Sequence, residues 1–150
     1  MINRYFAYGS NMNSQRVIDR GIDFLDACSG SLSHFELVFN KASRQHPRQA
    51  HANIRRKSHA AVEGVVYLLS EPEEILKMDP YERAPINYGR DVVWVETEQG
   101  GVWAWTYFAN SAVLVDGLLP PPAYMAHLLE GAPFLSPDYL TRLKAWRLAD

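Results

Sequence analysis

Apolar residues with the spacing of β-strands fill the first two-thirds of this chain, whereas the last third has helical spacing. The strongest apolar run spans residues 62–69, and Gly64 within it predicts either a bulge or a close approach of two backbones. Residues 98–101, Glu-Gln-Gly-Gly, predict a hairpin turn. The pattern predicts strands over residues 4–8, 24–27, 32–39, 62–69, 88–97 and 102–108.

Four segments have helical patterns, and three of them begin with residues that commonly cap helices. Asn13 or Ser14 precedes the first, and Ser136 precedes the last. Ser70 starts the sequence Ser-Glu-Pro-Glu, which has the hydroxyl and the carboxylate of a capping box. The predicted helices span residues 13–20, 70–79, 121–129 and 136–146.

Residues 40–58 are polar and basic, and they predict a loop, except that residues 52–54 form a brief strand. Strands and helices do not alternate regularly along the chain, so a parallel βαβ sheet is not expected. We therefore predict one α+β domain over residues 1–150, with a mostly antiparallel and barrel-like sheet.

Composition and charge exclude several classes of function. The chain has 150 residues, 47% of them hydrophobic, which suffices for one domain with its own core. Its net charge of −2 indicates neither a nucleic-acid surface nor a membrane-binding basic patch. A single cysteine, Cys28, excludes an internal disulfide and a cysteine-based zinc site. No apolar run approaches membrane-spanning length, so we expect a cytoplasmic protein.

The first candidate site is the stretch of residues 5–12, Tyr-Phe-Ala-Tyr-Gly-Ser-Asn-Met, where a short strand runs into a polar turn. Gly9 carries no side chain that would block a ligand, and Ser10 and Asn11 add a hydroxyl and an amide. Backbone N–H groups of such a turn can converge on a negative group. An ordinary strand-to-helix turn and a phosphate site are the alternatives, although no lysine lies near the turn in sequence.

The second candidate site is Met-Asp-Pro-Tyr-Glu-Arg at residues 78–83, just beyond a predicted helix. A carboxylate held there among aromatic rings would be partly desolvated, which raises its pKa towards the range that a general base needs. Alternatively, Asp79 and Glu82 cap the junction or pair with Arg83 and Arg90.

Other catalytic signatures are missing from the sequence. It contains neither the Gly-x-Ser-x-Gly of serine hydrolases nor a Walker phosphate loop. His46, His51 and His59 lie close in sequence, but they fall in the predicted loop, and no two lie four apart on a predicted helix. We therefore expect no metal site and no cofactor.

Together the two candidate stretches resemble the gamma-glutamylcyclotransferase family, including its gamma-glutamylamine cyclotransferase branch. The Tyr-Gly-Ser-Asn turn after a first strand is followed about seventy residues later by Met-Asp-Pro-Tyr-Glu. The resemblance spans nearly the whole chain, and it includes residues 39–43, 52–54, 62–67, 122–124, 131–132 and 135–139.

The resemblance implies a small, mixed, mostly antiparallel β-barrel with flanking helices and a cavity between the turn and Glu82. It assigns Glu82 as the catalytic acid and base. Tyr107, on the strand after the hairpin, is implied as a further substrate contact. The implied substrate-binding residues are Tyr8, Gly9, Ser10, Asn11 and Tyr107, with Tyr81, Tyr88 and Asn53 as weaker candidates.

Two positions depart from the family pattern. The usual Leu-Asp-x-x-Glu-Gly reads Met-Asp-Pro-Tyr-Glu-Arg here, so Met78 stands where the family has leucine and Arg83 stands where it has glycine. The change at Arg83 bears on the local backbone and on the choice of substrate.

The implied reaction closes a γ-glutamyl amine or peptide to 5-oxoproline and needs no metal, nucleotide or covalent nucleophile. The partner is a small γ-glutamyl molecule, and the oligomeric state is left open. The amine that leaves is also open between an amino acid, the ε-amine of lysine, a polyamine and an antibiotic precursor. Residues 40–58 and 83–87 are expected to border that leaving part, and their basic content leaves an acidic or hydroxyl-rich group conceivable. A non-catalytic binding module on the same fold is the alternative.

Overall fold

A closed barrel of five strands forms the centre of the computed structural model, which describes all 150 residues. Neighbours around the barrel follow the order β1-β3-β2-β4-β5, and the ring closes through a parallel contact between Tyr5 and Trp105. All other strand pairs are antiparallel, so the predicted α+β barrel is confirmed. The strands are β1 (Arg4–Ala7), β2 (Phe24–Ala42), β3 (Ala50–Leu69), β4 (Tyr88–Thr97) and β5 (Gly100–Ala109).

The long β2–β3 pair differs most from the sequence-based prediction. Residues 24–27 and 32–39 belong to one strand. The predicted loop of residues 40–58 is wrong at residues 40–42, which end β2, and from Ala50 onward, where the brief strand predicted at residues 52–54 is part of β3. Backbone pairing with β2 holds this polar segment in the sheet although it has no apolar face. The side chains of residues 55–59 are exposed. A register shift between Ser33 and Phe35 marks the irregularity that interrupts the apolar pattern.

Gly64 marks a close approach of two backbones. It pairs with Gly30 without a register shift, so it is not a bulge. A Cβ atom at Gly64 would collide with the carbonyl oxygen of Ala7 on β1. The glycine therefore allows β1 and the turn that follows it to lie tightly against β3.

The helices lie around the barrel, and two of the predicted caps are confirmed. The Asn13 side chain accepts a hydrogen bond from the Gln15 N–H, and the Ser136 hydroxyl accepts one from the Tyr139 N–H. None of the helices is long and apolar enough to cross a lipid bilayer. They are α1 (Ser14–Asp19), α2 (Ile75–Met78), α3 (Pro122–Leu129) and α4 (Pro137–Lys144).

The predicted cap at Ser70 is wrong. A 3-10 turn over Pro72–Glu74 precedes α2, and its N-cap residue, Glu71, makes no side-chain cap bond. The Ser70 N–H instead donates to the carbonyl of Asp23 at 3.1 Å, because β3 stays close to the start of β2. The short α2 ends just before Asp79. The chain that follows it places Glu82 next to the turn after β1.

Candidate active site

The turn after β1 is tightly packed into the protein. Ser10–Met12 form one 3-10 turn, in which the Met12 N–H donates to the Gly9 carbonyl at 3.0 Å. A Cβ atom at Gly9 would lie 3.1 Å from the Tyr124 hydroxyl, so any side chain there would crowd the tyrosine. Ser10 and Asn11 are buried, although both are polar. Buried polar groups of this kind need partners, and those of Asn11 lie within the site.

Glu82 lies on a hydrogen-bonded turn beyond α2. Its N–H donates to the Met78 carbonyl at 3.2 Å, and the Ala84 N–H donates to the Asp79 carbonyl at 3.0 Å. Arg83 completes the turn with a φ of 50°, in the left-handed region that favours glycine. This backbone path turns the Glu82 side chain inward, where it is 17% exposed.

Asn11 joins the two candidate stretches. Its Nδ2 donates to Oε1 of Glu82 at 3.0 Å and to the Tyr5 hydroxyl at 2.9 Å. Its Oδ1 accepts from Nη1 of Arg20 at 2.9 Å, and the Tyr67 hydroxyl donates to its backbone carbonyl at 2.5 Å. The amide is therefore fixed from several sides, and it holds the Glu82 carboxylate in one position.

Burial raises the pKa of Glu82. Arg20, whose Nη1 lies 3.8 Å from Oε1 of Glu82, and the Asn11 hydrogen bond oppose this shift by favouring the charged form. Arg16 and Lys41 act in the same direction more weakly. The net effect moves the carboxyl group towards the pKa at which it can both accept and return a proton.

Glu82 and the turn face a small inner pocket of about 30 Å³. Five tyrosines surround it, and burial raises the pKa of each, so their hydroxyls stay neutral. The residues that line the inner pocket are Tyr5, Tyr8, Gly9, Ser10, Asn11, Ala52, Glu82, Tyr88, Tyr107 and Tyr124.

The tyrosine hydroxyls already have partners. Tyr8 donates to the Tyr107 carbonyl at 2.6 Å, and Tyr88 donates to the Ala52 carbonyl at 2.8 Å. The Tyr124 hydroxyl accepts from the Ala52 N–H at 3.0 Å. These bonds fix the rings as walls of the inner pocket, and they join the end of β1 to β5 and both β4 and α3 to β3.

Asp79 and Glu82 have different surroundings. The Tyr107 hydroxyl donates to Oδ1 of Asp79 at 2.6 Å, and Nε of Arg90 donates to the same carboxylate at 2.8 Å. Pairing of Asp79 with Arg90 was one of the alternatives from the sequence, and the structure confirms it for this carboxylate. Glu82 pairs with Arg20 instead, so only Glu82 is directed at the inner pocket.

A larger opening of about 570 Å³, which we call the vestibule, leads outward from the inner pocket. Ser10, Glu82, Tyr88 and Tyr124 line both spaces, which are therefore continuous. Tyr81 lies at the vestibule and is half-exposed, with the Arg20 guanidinium 4.9 Å from its ring centre. A volume of this size lies in the usual range of small-molecule sites.

The structure brings together every site residue predicted from the sequence except Asn53. The Asn53 side chain is hydrogen-bonded inside the barrel. Its Oδ1 accepts from the Ala109 N–H at 2.9 Å, and its Nδ2 donates to Oδ1 of Asn40 at 3.1 Å. Its amide links β3 to β5 and does not line the inner pocket or the vestibule. The predicted lining by Asn53 is therefore corrected.

Sequence reasoning missed Arg20, Tyr5 and Tyr124. Arg20 directly follows α1 and reaches Glu82 only through the fold, so no local pattern marks it. Tyr124 lies in the first turn of α3, more than a hundred residues from the turn that it contacts. Of the histidines, His46, His51 and His127 line the vestibule, and burial lowers the pKa of His51 to about 4. No group of three or more potential ligand side chains is arranged to hold a metal ion.

Known proteins share both this fold and this sequence pattern. One solved structure, a gamma-glutamyl cyclotransferase, is 25% identical over 98% of this chain and 89% of its own, with a TM-score of 0.81. An uncharacterized human protein is 26% identical over the same shares, with a TM-score of 0.84. YkqA from Bacillus subtilis, 22% identical over 97% of this chain and 55% of its own, has a TM-score of 0.84 and shows the fold alone.

A search of curated proteins found no match. A family profile described as gamma-glutamyl cyclotransferase, AIG2-like, matches residues 5–125, which include both the turn and Glu82. Family and fold together support cyclotransferase-type activity in general. This chain belongs to the gamma-glutamyl cyclotransferase, AIG2-like family.

Proposed function

We propose that this protein is a gamma-glutamyl cyclotransferase that converts a γ-glutamyl amide into 5-oxoproline and a free amine. The observation that carries the proposal is the 3.0 Å hydrogen bond between Asn11 and Glu82. It joins the polar turn and a carboxyl group of raised pKa in one pocket. Those are the two components that this reaction requires.

The reaction itself is an internal acyl transfer. The α-amine nitrogen of the glutamyl group attacks its own γ-carbonyl carbon, a new C–N bond closes the five-membered ring, and the original amide C–N bond breaks. Counted from the α-ammonium form, the attacking nitrogen loses two protons, one before attack and one as the ring closes, and the leaving nitrogen gains two and departs as an ammonium group, so no water is consumed. Because the nucleophile is part of the substrate, holding the glutamyl group folded can supply several kcal/mol.

Glu82 is the proposed proton carrier. Its carboxylate accepts a proton from the α-ammonium group, which frees the attacking lone pair, and then returns a proton to the leaving nitrogen. A raised pKa suits both steps, because a strongly acidic carboxyl group would hold the proton too weakly. Asn11 keeps the carboxylate in place while the proton moves.

The turn is the proposed site for negative charge. The N–H of Gly9 has no acceptor within the protein, and the Ser10 hydroxyl makes no hydrogen bond there either. Both groups lie at the inner pocket beside Glu82, so they can donate to the substrate α-carboxylate or to the oxyanion that forms at the γ-carbon. Gly9 also leaves room for such an approach, because it carries no side chain.

The test is release of 5-oxoproline from a panel of γ-glutamyl amino acids, γ-glutamyl-ε-lysine and γ-glutamyl amines. The wild type is compared with Glu82→Gln, which keeps the shape and removes the base, and with Glu98→Gln, the same change on the exposed β4–β5 hairpin. We expect release by the wild type and by Glu98→Gln, and none by Glu82→Gln. Silence of the wild type across the panel, with binding still measurable, would favour a binding module on the same fold.

A further inference from the structure

Positive charge is concentrated at the vestibule. Five of the chain's 15 lysine and arginine side chains line it, but only one of its 17 carboxylates does, namely Glu82. The chain as a whole carries a net charge of −2, so this imbalance is local. The five cationic residues are Arg16, Arg20, Lys41, Arg44 and Arg83.

Most of these cations have no anionic partner in the protein. The chain forms four ion pairs, and only the Arg20–Glu82 pair lies at the vestibule. Arg16, Lys41, Arg44 and Arg83 take part in none of them, and Nε of Arg16 is also buried without a hydrogen bond. Elsewhere in the protein, Asp79 is paired with Arg90, and Glu36 is paired with Arg55.

Lys41 is the clearest case. Its residue surface is only 5% exposed, its side chain makes neither a hydrogen bond nor an ion pair, and it lines the vestibule. Its Nζ lies 6.0 Å from the ring centre of Tyr88, which also faces the inner pocket. Burial lowers the pKa of Lys41, and the charge of Glu82 opposes this. The Nζ of Lys41 is not fully buried and opens to the vestibule, so a ligand that brings negative charge can pair with it there.

Arg83 is a second, independent case. Its φ of 50° is a conformation that costs a residue with a side chain about 1 kcal/mol relative to glycine. Glycine would fit this turn with less strain, yet the chain carries a guanidinium here, at the vestibule. His34 and His59 also have positive φ values, of 67° and 64°, away from the vestibule, so what distinguishes Arg83 is the cation that it places at the vestibule.

We propose that the vestibule binds the leaving part of the substrate through two or more negative charges, and that this part is a dicarboxylic amino acid. The inference rests on the proposed function. The substrate class is then a γ-glutamyl dipeptide whose second residue is glutamate or aspartate. The amide C–N bond to that residue breaks as the ring closes, and the acidic amino acid leaves with the proton that Glu82 returns.

The number of unpaired cations at the vestibule favours a leaving amino acid with two negative charges over one with a single charge. Every γ-glutamyl amino acid with a free carboxylate offers one charge, which pairs with one cation and leaves the others unmatched. A second carboxylate pairs with another, and a charge-assisted hydrogen bond contributes about 1.5–3 kcal/mol. Replacing that carboxylate by the uncharged amide of the same shape should therefore lower kcat/KM about tenfold or more.

The experiment compares kcat/KM for γ-glutamyl-glutamate with that for γ-glutamyl-glutamine, by 5-oxoproline release. We expect the wild type to favour the glutamate dipeptide at least about tenfold. Lys41→Met and Arg83→Gly should each reduce this ratio severalfold. Lys57→Met, the same change on the exposed part of β3, should leave the ratio as in the wild type.

The outcomes separate this inference from the proposed function. Release from both dipeptides with equal kcat/KM would overturn the inference alone, and so would a selectivity that neither variant alters. Release from other γ-glutamyl amides but from neither dipeptide would also overturn the inference alone, whereas no release from any member of the panel would mean that the proposed function itself fails. Thermal unfolding of each variant guards against misfolding, and Arg83→Gly, which relieves the positive φ, should be at least as stable as the wild type.

Discussion

The inner pocket and the vestibule are adjacent, yet the polar side chains of the inner pocket other than Ser10 are hydrogen-bonded within the protein, whereas most cations of the vestibule have no ion pair. In the inner pocket the tyrosine hydroxyls and the Asn11 amide are hydrogen-bonded within the protein, and the Glu82 carboxylate is held by Asn11 and Arg20. In the vestibule Lys41 and three arginines lack any anionic partner. Satisfied groups are preorganised and do not depend on which substrate is present. The vestibule cations, of which Arg44 and Arg83 are exposed to solvent, remain available to pair with a negative charge on the substrate.

This difference assigns separate tasks to the two regions. Changes in the inner pocket should alter turnover of every γ-glutamyl substrate by a similar factor, because they affect the common glutamyl group. Changes in the vestibule should alter the ratio between substrates, because they affect the part that differs. This assignment of tasks is therefore tested by measuring, for each variant, both the turnover rate and the ratio of kcat/KM between two substrates.

The largest effect is expected for Glu82→Gln. The substitution removes the proton carrier, so kcat should fall at least about 100-fold for all substrates, while binding changes less than about tenfold. Single-turnover 5-oxoproline release and a ligand-binding titration measure the two quantities. Normal turnover by this variant would show that Glu82 is not the base.

The next largest effect is expected for Ser10→Ala. Loss of the hydroxyl removes one donor from the turn and leaves its backbone intact, so kcat/KM should fall about tenfold for charged and uncharged leaving groups alike. Steady-state kinetics on the two matched dipeptides test this. An unchanged rate and KM would place the hydroxyl outside the site, and a selective loss on one dipeptide would contradict the division between the two regions.

A smaller effect, dependent on pH, is expected for Arg20→Gln. The positive charge of Arg20 lowers the pKa of Glu82, so its removal lets the pKa rise further. Glu82 must be deprotonated to accept a proton, and a higher pKa leaves less of the active form at acid pH. The acid limb of kcat/KM should therefore move to higher pH, with a severalfold loss at its foot.

The pH profile of Arg55→Gln provides the control, because Arg55 pairs with Glu36 on the exposed side of the β2–β3 pair. Its acid limb should coincide with that of the wild type. Movement of the Arg20→Gln limb to lower pH would contradict the stated role of the guanidinium. Arg16 and Lys41, which also lower the pKa of Glu82, remain in this variant.

The sequence predicts those parts of the fold whose signals are local. The β4–β5 hairpin, the caps at Asn13 and Ser136 and the turn after β1 all follow from residues within a few positions of one another. The segment from Ala50 to Ser58 does not, because polar residues on an exposed strand have no apolar alternation and are stabilised by distant pairing with β2.

The candidate site divides in the same way. The turn and Glu82 are visible in sequence because a motif surrounds each of them. Arg20 and Lys41 are ordinary basic residues in the sequence, and only the fold brings them to Glu82. Asn53 shows the opposite error, since a polar residue beside apolar ones suggests a pocket but here bonds the Ala109 backbone.

The smallest effect is expected for Tyr107→Phe. The Tyr107 hydroxyl donates to Asp79 at 2.6 Å, and Arg90 pairs with the same carboxylate, so Asp79 keeps a partner when the hydroxyl is removed. The ring remains as a wall of the inner pocket. We therefore expect KM to rise by no more than a few-fold, kcat to stay close to the wild-type value, and stability to fall by about 1 kcal/mol. Steady-state kinetics and denaturant unfolding measure these changes. A loss of turnover as large as that expected for Glu82→Gln would instead place this hydroxyl among the groups that contact the reacting atoms, and the inner pocket would then contain a second catalytic residue beside Glu82.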